Sequence, residues 1–176
     1  MLNRTIYFLL LLLLVVFSCK KESVNSNKDT IVIDSIKTGD KTKIRAIGET
    51  LLPEAKVKIE NWSEYQQLDQ LLEKFYSISP NQALNLSKEL VSTTKQLKDS
   101  IKIERFKQPD IGIRINVLHN TALRLADMAT IPTIKTTEVQ NETQNILDAF
   151  SALNSKINNL SKQEKIELEL KGFETK

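Results

Sequence analysis

His119 is the only imidazole in the chain, and Arg114 lies five residues before it on the same stretch of helical period. These two side chains are the best suited to handle a polar ligand. One exchanges protons near neutral pH, and the other is a permanent, forked cation. Neither belongs to a recognisable constellation. Asn116 stands where a Glu-x-x-His di-iron helix would carry its glutamate. One cysteine and one histidine are too few for a zinc site built from those types. Four glycines, at 39, 48, 112 and 172, make no phosphate-cradling loop and no nucleophile elbow. No catalytic residue, cofactor or metal is therefore assigned, and Arg114 and His119 are carried as contacts for a ligand or partner. The plainer readings are a boundary histidine with a local partner, and an arginine that snorkels or pairs with a neighbouring carboxylate.

Trp62 and Tyr65 are the other candidates for contact. Exposed, they would form an aromatic patch for a partner; buried, they would plug one end of a helical bundle. The acidic residues form no local pair that marks a site. Glu60 with Glu64, and Asp69 with Glu73, put like charges one helical turn apart, as solvated faces do. Lysine and arginine number 25 against 22 aspartates and glutamates, and the cations are scattered, so no nucleic-acid partner is indicated. Asp29-Thr30-Ile31, Asp34-Ser35-Ile36 and Asp99-Ser100-Ile101 each resemble a bacterial O-glycosylation motif, Asp-Ser/Thr-aliphatic.

These side chains must be positioned by helices. Glycine and proline are four each, while Leu, Lys, Glu, Gln and Asn abound. Asn61 and Glu64 are spaced like a capping box, and Tyr65, Leu68, Leu72 and Phe75 then recur on one face. Ser79-Pro80-Asn81-Gln82 is the strongest helix start, leading a stripe of Ala83, Leu86, Leu90, Leu97 and Ile101 with Thr94 in the missing step. Pro109-Asp110 opens a third helix with Ile111, Ile115, Leu118, Ala122, Leu125 and Ala129 in line. Ile113, Val117 and Met128 add a second apolar sector, which predicts that this helix is the most buried. A fourth begins near Thr137, with Gln140 at capping distance. Its stripe is Val139, Ile146, Phe150, Leu153, Ile157 and Leu160, with Gln140, Asn141, Gln144, Asp148 and Lys156 facing away. Short connections make neighbours antiparallel. The expected fold is all-α: an up-and-down bundle of about four helices over residues 59–164.

The segment before the bundle has a different logic. Met1 to Arg4 supply a basic start, and Ile6 to Phe17 are uninterruptedly apolar. Twelve helical residues span about 18 Å, short of a hydrocarbon core of about 30 Å, which is the pattern of a secretory signal. Val16-Phe17-Ser18-Cys19 follows and resembles the lipobox of bacterial lipoproteins, with Phe17 bulkier than the usual residue at its position. The resemblance covers residues 1–19 alone. It implies a signal peptide over 1–18, cleavage after Ser18, and lipid attachment at Cys19, with the membrane as partner through that lipid. Lys20 is not the aspartate that marks inner-membrane retention in such proteins, so the resemblance implies the outer membrane.

Residues 19–58 read as a tether, largely disordered or weakly β, in which Thr30–Ile33 and Lys43–Ile47 could pair as a small hairpin around Thr38-Gly39-Asp40-Lys41. The tail 165–176 is ambiguous: Ile166, Leu168 and Leu170 alternate like a strand, while Glu, Leu and Lys favour helix. The expected function is that of a lipid-tethered, non-catalytic module that binds a protein or cell-envelope component. The alternative is a small-ligand receptor or enzyme with a pocket between helices near Arg114 and His119.

Overall fold

The computed structural model describes residues 41–174. Ser18, Cys19 and the first half of the expected hairpin lie outside them. Among the described residues there are five α-helices and one 3-10 turn, and no strand. The fold is all-α, a packed helical bundle. Helix α1 is Pro53–Lys58, α2 Ser63–Phe75, α3 Pro80–Asp99, α4 Pro109–Met128 and α5 Thr136–Glu174, with the 3-10 turn at Glu104–Phe106 between α3 and α4.

Local chemistry explains where the helices begin. Ser79 accepts from the Gln82 backbone amide while the Gln82 side chain accepts from the Ser79 amide, a complete capping box, and Pro80 occupies the first turn. The box expected at Asn61 and Glu64 does not form. Helix α2 starts at Ser63, with Trp62 as its N-cap residue and no side-chain cap. There a tertiary anchor sets the entry. The Trp62 indole donates to Ser100 Oγ at 2.8 Å, and its ring stacks on Phe106 with centroids 6.0 Å apart. At α5 the helix begins one residue earlier than expected, and Glu138 rather than Gln140 reaches back, accepting from the Lys135 amide at 3.2 Å.

The apolar stripes meet in one core. Tyr65, Leu68, Leu72 and Phe75 of α2, Leu90 and Leu97 of α3, five of the six α4 stripe residues and the whole α5 stripe are buried. Two ion pairs fix the α4–α5 register. Arg124 pairs with Glu142, and fourteen residues back along α4 Asp110 pairs with Lys156, fourteen residues on along α5. That reciprocal spacing is what antiparallel neighbours require. Lys156 was expected to face away, but it is half-buried by this bridge.

Helix α4 packs between α3 and α5, yet it is not buried all round. Ile113 and Val117 of its second apolar sector are 59% and 49% exposed, because two neighbours cover only part of its circumference. At the C-terminus the alternating Ile166, Leu168 and Leu170 continue α5 as helix and are exposed. Strand-like alternation there reflects no buried face. Lys58–Glu164, Lys165–Glu54 and Arg105–Glu167 bind this extension to α1 and to the α3–α4 connection.

The largest departure precedes α2. Residues 45–58, expected to belong to the tether, are held on the bundle by hydrogen bonds of Arg45, Glu49, Thr50 and Leu52 and by burial of Leu51 and Ala55. The stretch Lys43–Ile47 is not a strand; residues 41–52 form an extended strap that leads into α1. The Arg45 amide donates to the Tyr76 carbonyl at 2.8 Å, and the buried Arg45 guanidinium donates to the carbonyl of Phe75, the last residue of α2. A cation there meets the negative end of the helix dipole. Further along, Ser151, Asn154 and Asn158 of α5 clip the strap backbone through their side chains. Ser151 Oγ accepts from Glu49 N–H at 2.7 Å, Asn158 Oδ1 from Leu52 N–H at 2.8 Å, and the two asparagine amides donate to the carbonyls of Glu49 and Thr50 at 2.9 Å each. A Cβ on Gly48 would lie 2.6 Å from Ser151 Oγ and 2.7 Å from its Cβ, so only glycine fits this close approach.

Candidate functional site

Strap, α1, α2 and α5 together enclose a groove of about 680 Å³. Its floor is apolar: Leu51, Ile59, Tyr65 and Phe150 line it, and each is buried in the core. The Tyr65 and Phe150 rings pack with centroids 5.7 Å apart. Tyr65 donates to Asn154 Oδ1 at 2.6 Å, and Asn154 in turn donates to the Glu49 carbonyl, so one amide ties α2 to α5 and α5 to the strap. Burial pushes the Tyr65 phenol far above its ordinary pKa, so it stays neutral.

One wall is acidic. Asp69 and Glu73, one turn apart on α2, line the groove together with Glu60, and Lys56 of α1 is the one lysine among the lining residues. Loss of solvent around the Asp69 carboxyl, and then the like charge of Glu73, raise its pKa, against the opposing pull of Lys56. The Asp69 and Glu73 carboxylates form no ion pair at 4.0 Å or less among the described residues, in contrast to Glu54, Glu164, Glu167 and Glu142, which are all paired. At the far end burial raises the pKa of Tyr76, with a contact from the Gly48 backbone acting the other way. The groove thus offers apolar surface, hydrogen-bonding groups and uncompensated negative charge.

The residues singled out from sequence lie elsewhere or serve the core. Trp62 and Tyr65 are 3% and 1% exposed, so they plug the bundle and form no exposed aromatic patch. Arg114 donates to the Asp110 carbonyl one turn back on its own helix. His119 Nδ1 lies 2.9 Å from Thr94 Oγ1, the local partner of a boundary histidine. Neither Arg114 nor His119 lines the groove, which takes none of its lining from α4. Ser100 of the third glycosylation-like triplet is buried, donates to the Leu97 carbonyl and accepts from Trp62, which closes it to a transferase in the folded protein. Among the described residues no group of three or more His, Cys, Asp or Glu is arranged to hold a metal ion, and no helix is long and apolar enough to cross a membrane.

No family model, no curated protein and no solved structure gives a significant match to this chain. Its groove must therefore be read from its own geometry. Sequence reasoning missed it because one wall, Ile47, Thr50, Leu51 and Lys56, comes from the segment expected to be tether. Two signals pointed that way: the unrelieved Asp69–Glu73 pair, and the Ser151, Asn154 and Asn158 series at helical spacing beside the α5 stripe.

Proposed function

We propose that this chain is an exported lipoprotein, anchored in the outer membrane through a lipid on Cys19, whose helical bundle acts by binding a protein or cell-envelope component without catalysis. The address rests on Val16-Phe17-Ser18-Cys19 at the end of the short apolar run. The observation that carries the binding role is the groove, with its apolar floor and an acidic wall whose charges are left uncommitted by the fold. A durable anchor needs several acyl chains, each methylene contributing about 0.8 kcal/mol. With Lys20 and Lys21 beside it, Cys19 would sit at the level of anionic headgroups.

Two measurements test this reading. Cys19→Ala should abolish labelling by a fatty-acid analogue and release the protein from membranes; retained labelling refutes the lipoprotein assignment. A photo-crosslinking residue at Glu73 should capture an envelope component in living cells, whereas one at Asn116 on the outer side of α4 should not. Equal capture from both positions removes the groove from the proposal.

The groove's volume favours a second reading, a receptor for a small ligand, since about 300–1,000 Å³ is the usual range for such sites. Its location would be the groove and not the neighbourhood of Arg114 and His119.

A further inference from the structure

We infer that the groove binds a small organic amine, its ammonium set against Asp69 and Glu73 and its apolar body laid on Ile47, Leu51 and Ile59. The inference deepens the small-ligand reading and rests on it. Three features of the groove converge on this class of ligand. The floor removes apolar surface from water without demanding hydrogen bonds, because the Tyr65 hydroxyl and the Asn154 amide already satisfy one another and the strap. That selects a hydrocarbon or aromatic body over a sugar-like one.

The wall carries Glu60, Asp69 and Glu73 against a single lysine, Lys56, so the site's own charge is negative. Asp69 and Glu73 have no cation within ion-pair distance among the described residues, so both carboxylates are open to a ligand's ammonium. Two carboxylates one turn apart repel each other, and a shared ammonium relieves both at once. Asp69 adds a further cause, since its carboxyl is partly desolvated beside the floor and gains more from a cation than a fully hydrated one would. An anion would meet this wall with repulsion, and a neutral ligand would leave it uncompensated.

The test is a set of three isosteres: 2-phenylethylamine, 2-phenylethanol and phenylacetate. Each is titrated into the exported chain carrying Cys19→Ala, which removes the proposed lipid-attachment site, and followed by amide chemical shifts. The amine is expected to shift Ile59, Asp69 and Glu73 saturably and to bind tighter than the alcohol, with phenylacetate weakest. Asp69→Asn combined with Glu73→Gln should lower the amine's affinity about fivefold. Glu169→Gln, on the exposed end of α5, should leave it unchanged. Equal affinity for amine and alcohol, unaltered by the double variant, would overturn the amine while keeping a small-ligand groove. Tightest binding of phenylacetate would do the same and point to Lys56. Absence of saturable shifts with all three would overturn both.

Discussion

Several buried hydroxyls in the helices are satisfied close to home. Thr94, Thr121, Thr143 and Ser161 each donate to a carbonyl three or four residues back, which lets a hydroxyl occupy a core position without a distant partner. Thr94 does more. With its proton directed to the Leu90 carbonyl, its oxygen is placed to accept from His119 Nδ1–H. Partial burial, followed by the nearby charges of Lys98 and Lys95, lowers the His119 pKa below its ordinary value. The folded state therefore favours neutral imidazole. That contribution to stability is fully present above the unfolded value of about 6.5 and is lost as pH falls through the lower folded value. His119→Gln should flatten this step: melting temperatures of the wild type and the variant should diverge in the wild type's disfavour between about pH 7 and pH 5. Glu142 depends more on its partners. It is buried and holds both Arg124 and the Asn145 amide. Arg124→Ala should destabilise by about 1–3 kcal/mol in denaturant titrations, and adding Glu142→Gln should recover most of that loss by removing the stranded charge.

At the scale of elements, the four long helices were legible because each buries one face, and burial of one face forces apolar residues into steps of three and four. Ser79 and Pro80 announced α3 through purely local hydrogen bonds. Trp62 did not announce α2, because its partners Ser100 and Phe106 are about forty residues away. The strap was illegible for a related reason: its backbone is satisfied by side chains of α5, so its own residues need no periodic pattern. Gly48→Ala is the substitution that probes it. The added methyl group must displace Ser151, and overpacking of this kind costs about 1–3 kcal/mol. Hydrogen exchange should quicken at the amides of Glu49 and Leu52 while the α4 and α5 core amides keep their protection. Unchanged exchange at those two amides would show that the clip tolerates the methyl.

For the molecule as a whole, the groove and the bundle pull in different directions. Placing Asp69 beside Glu73 at the rim of an apolar floor raises the pKa of Asp69 in the folded state. The sign follows from linkage: a raised carboxylate pKa favours the native state only while the group is protonated, and that advantage is lost as pH rises through the folded value. Asp69→Asn should therefore raise the melting temperature at pH 7, with the gain fading below about pH 4 where aspartate is neutral in both states. A stabilising substitution at the groove wall would mark a residue kept at the expense of stability. What the chain alone determined was the helical class, the antiparallel order of the long helices and the one-sided stripes that make the core, since all three follow from local periodicity and short connections. Which polar residues face one another could not be read from it. The folded structure moved the interest from Arg114 and His119 to a strap that lies on α5 and makes a groove with α2. That decision depends on contacts between residues about a hundred positions apart, and side-chain clips at such distances leave no period in the strap that they hold.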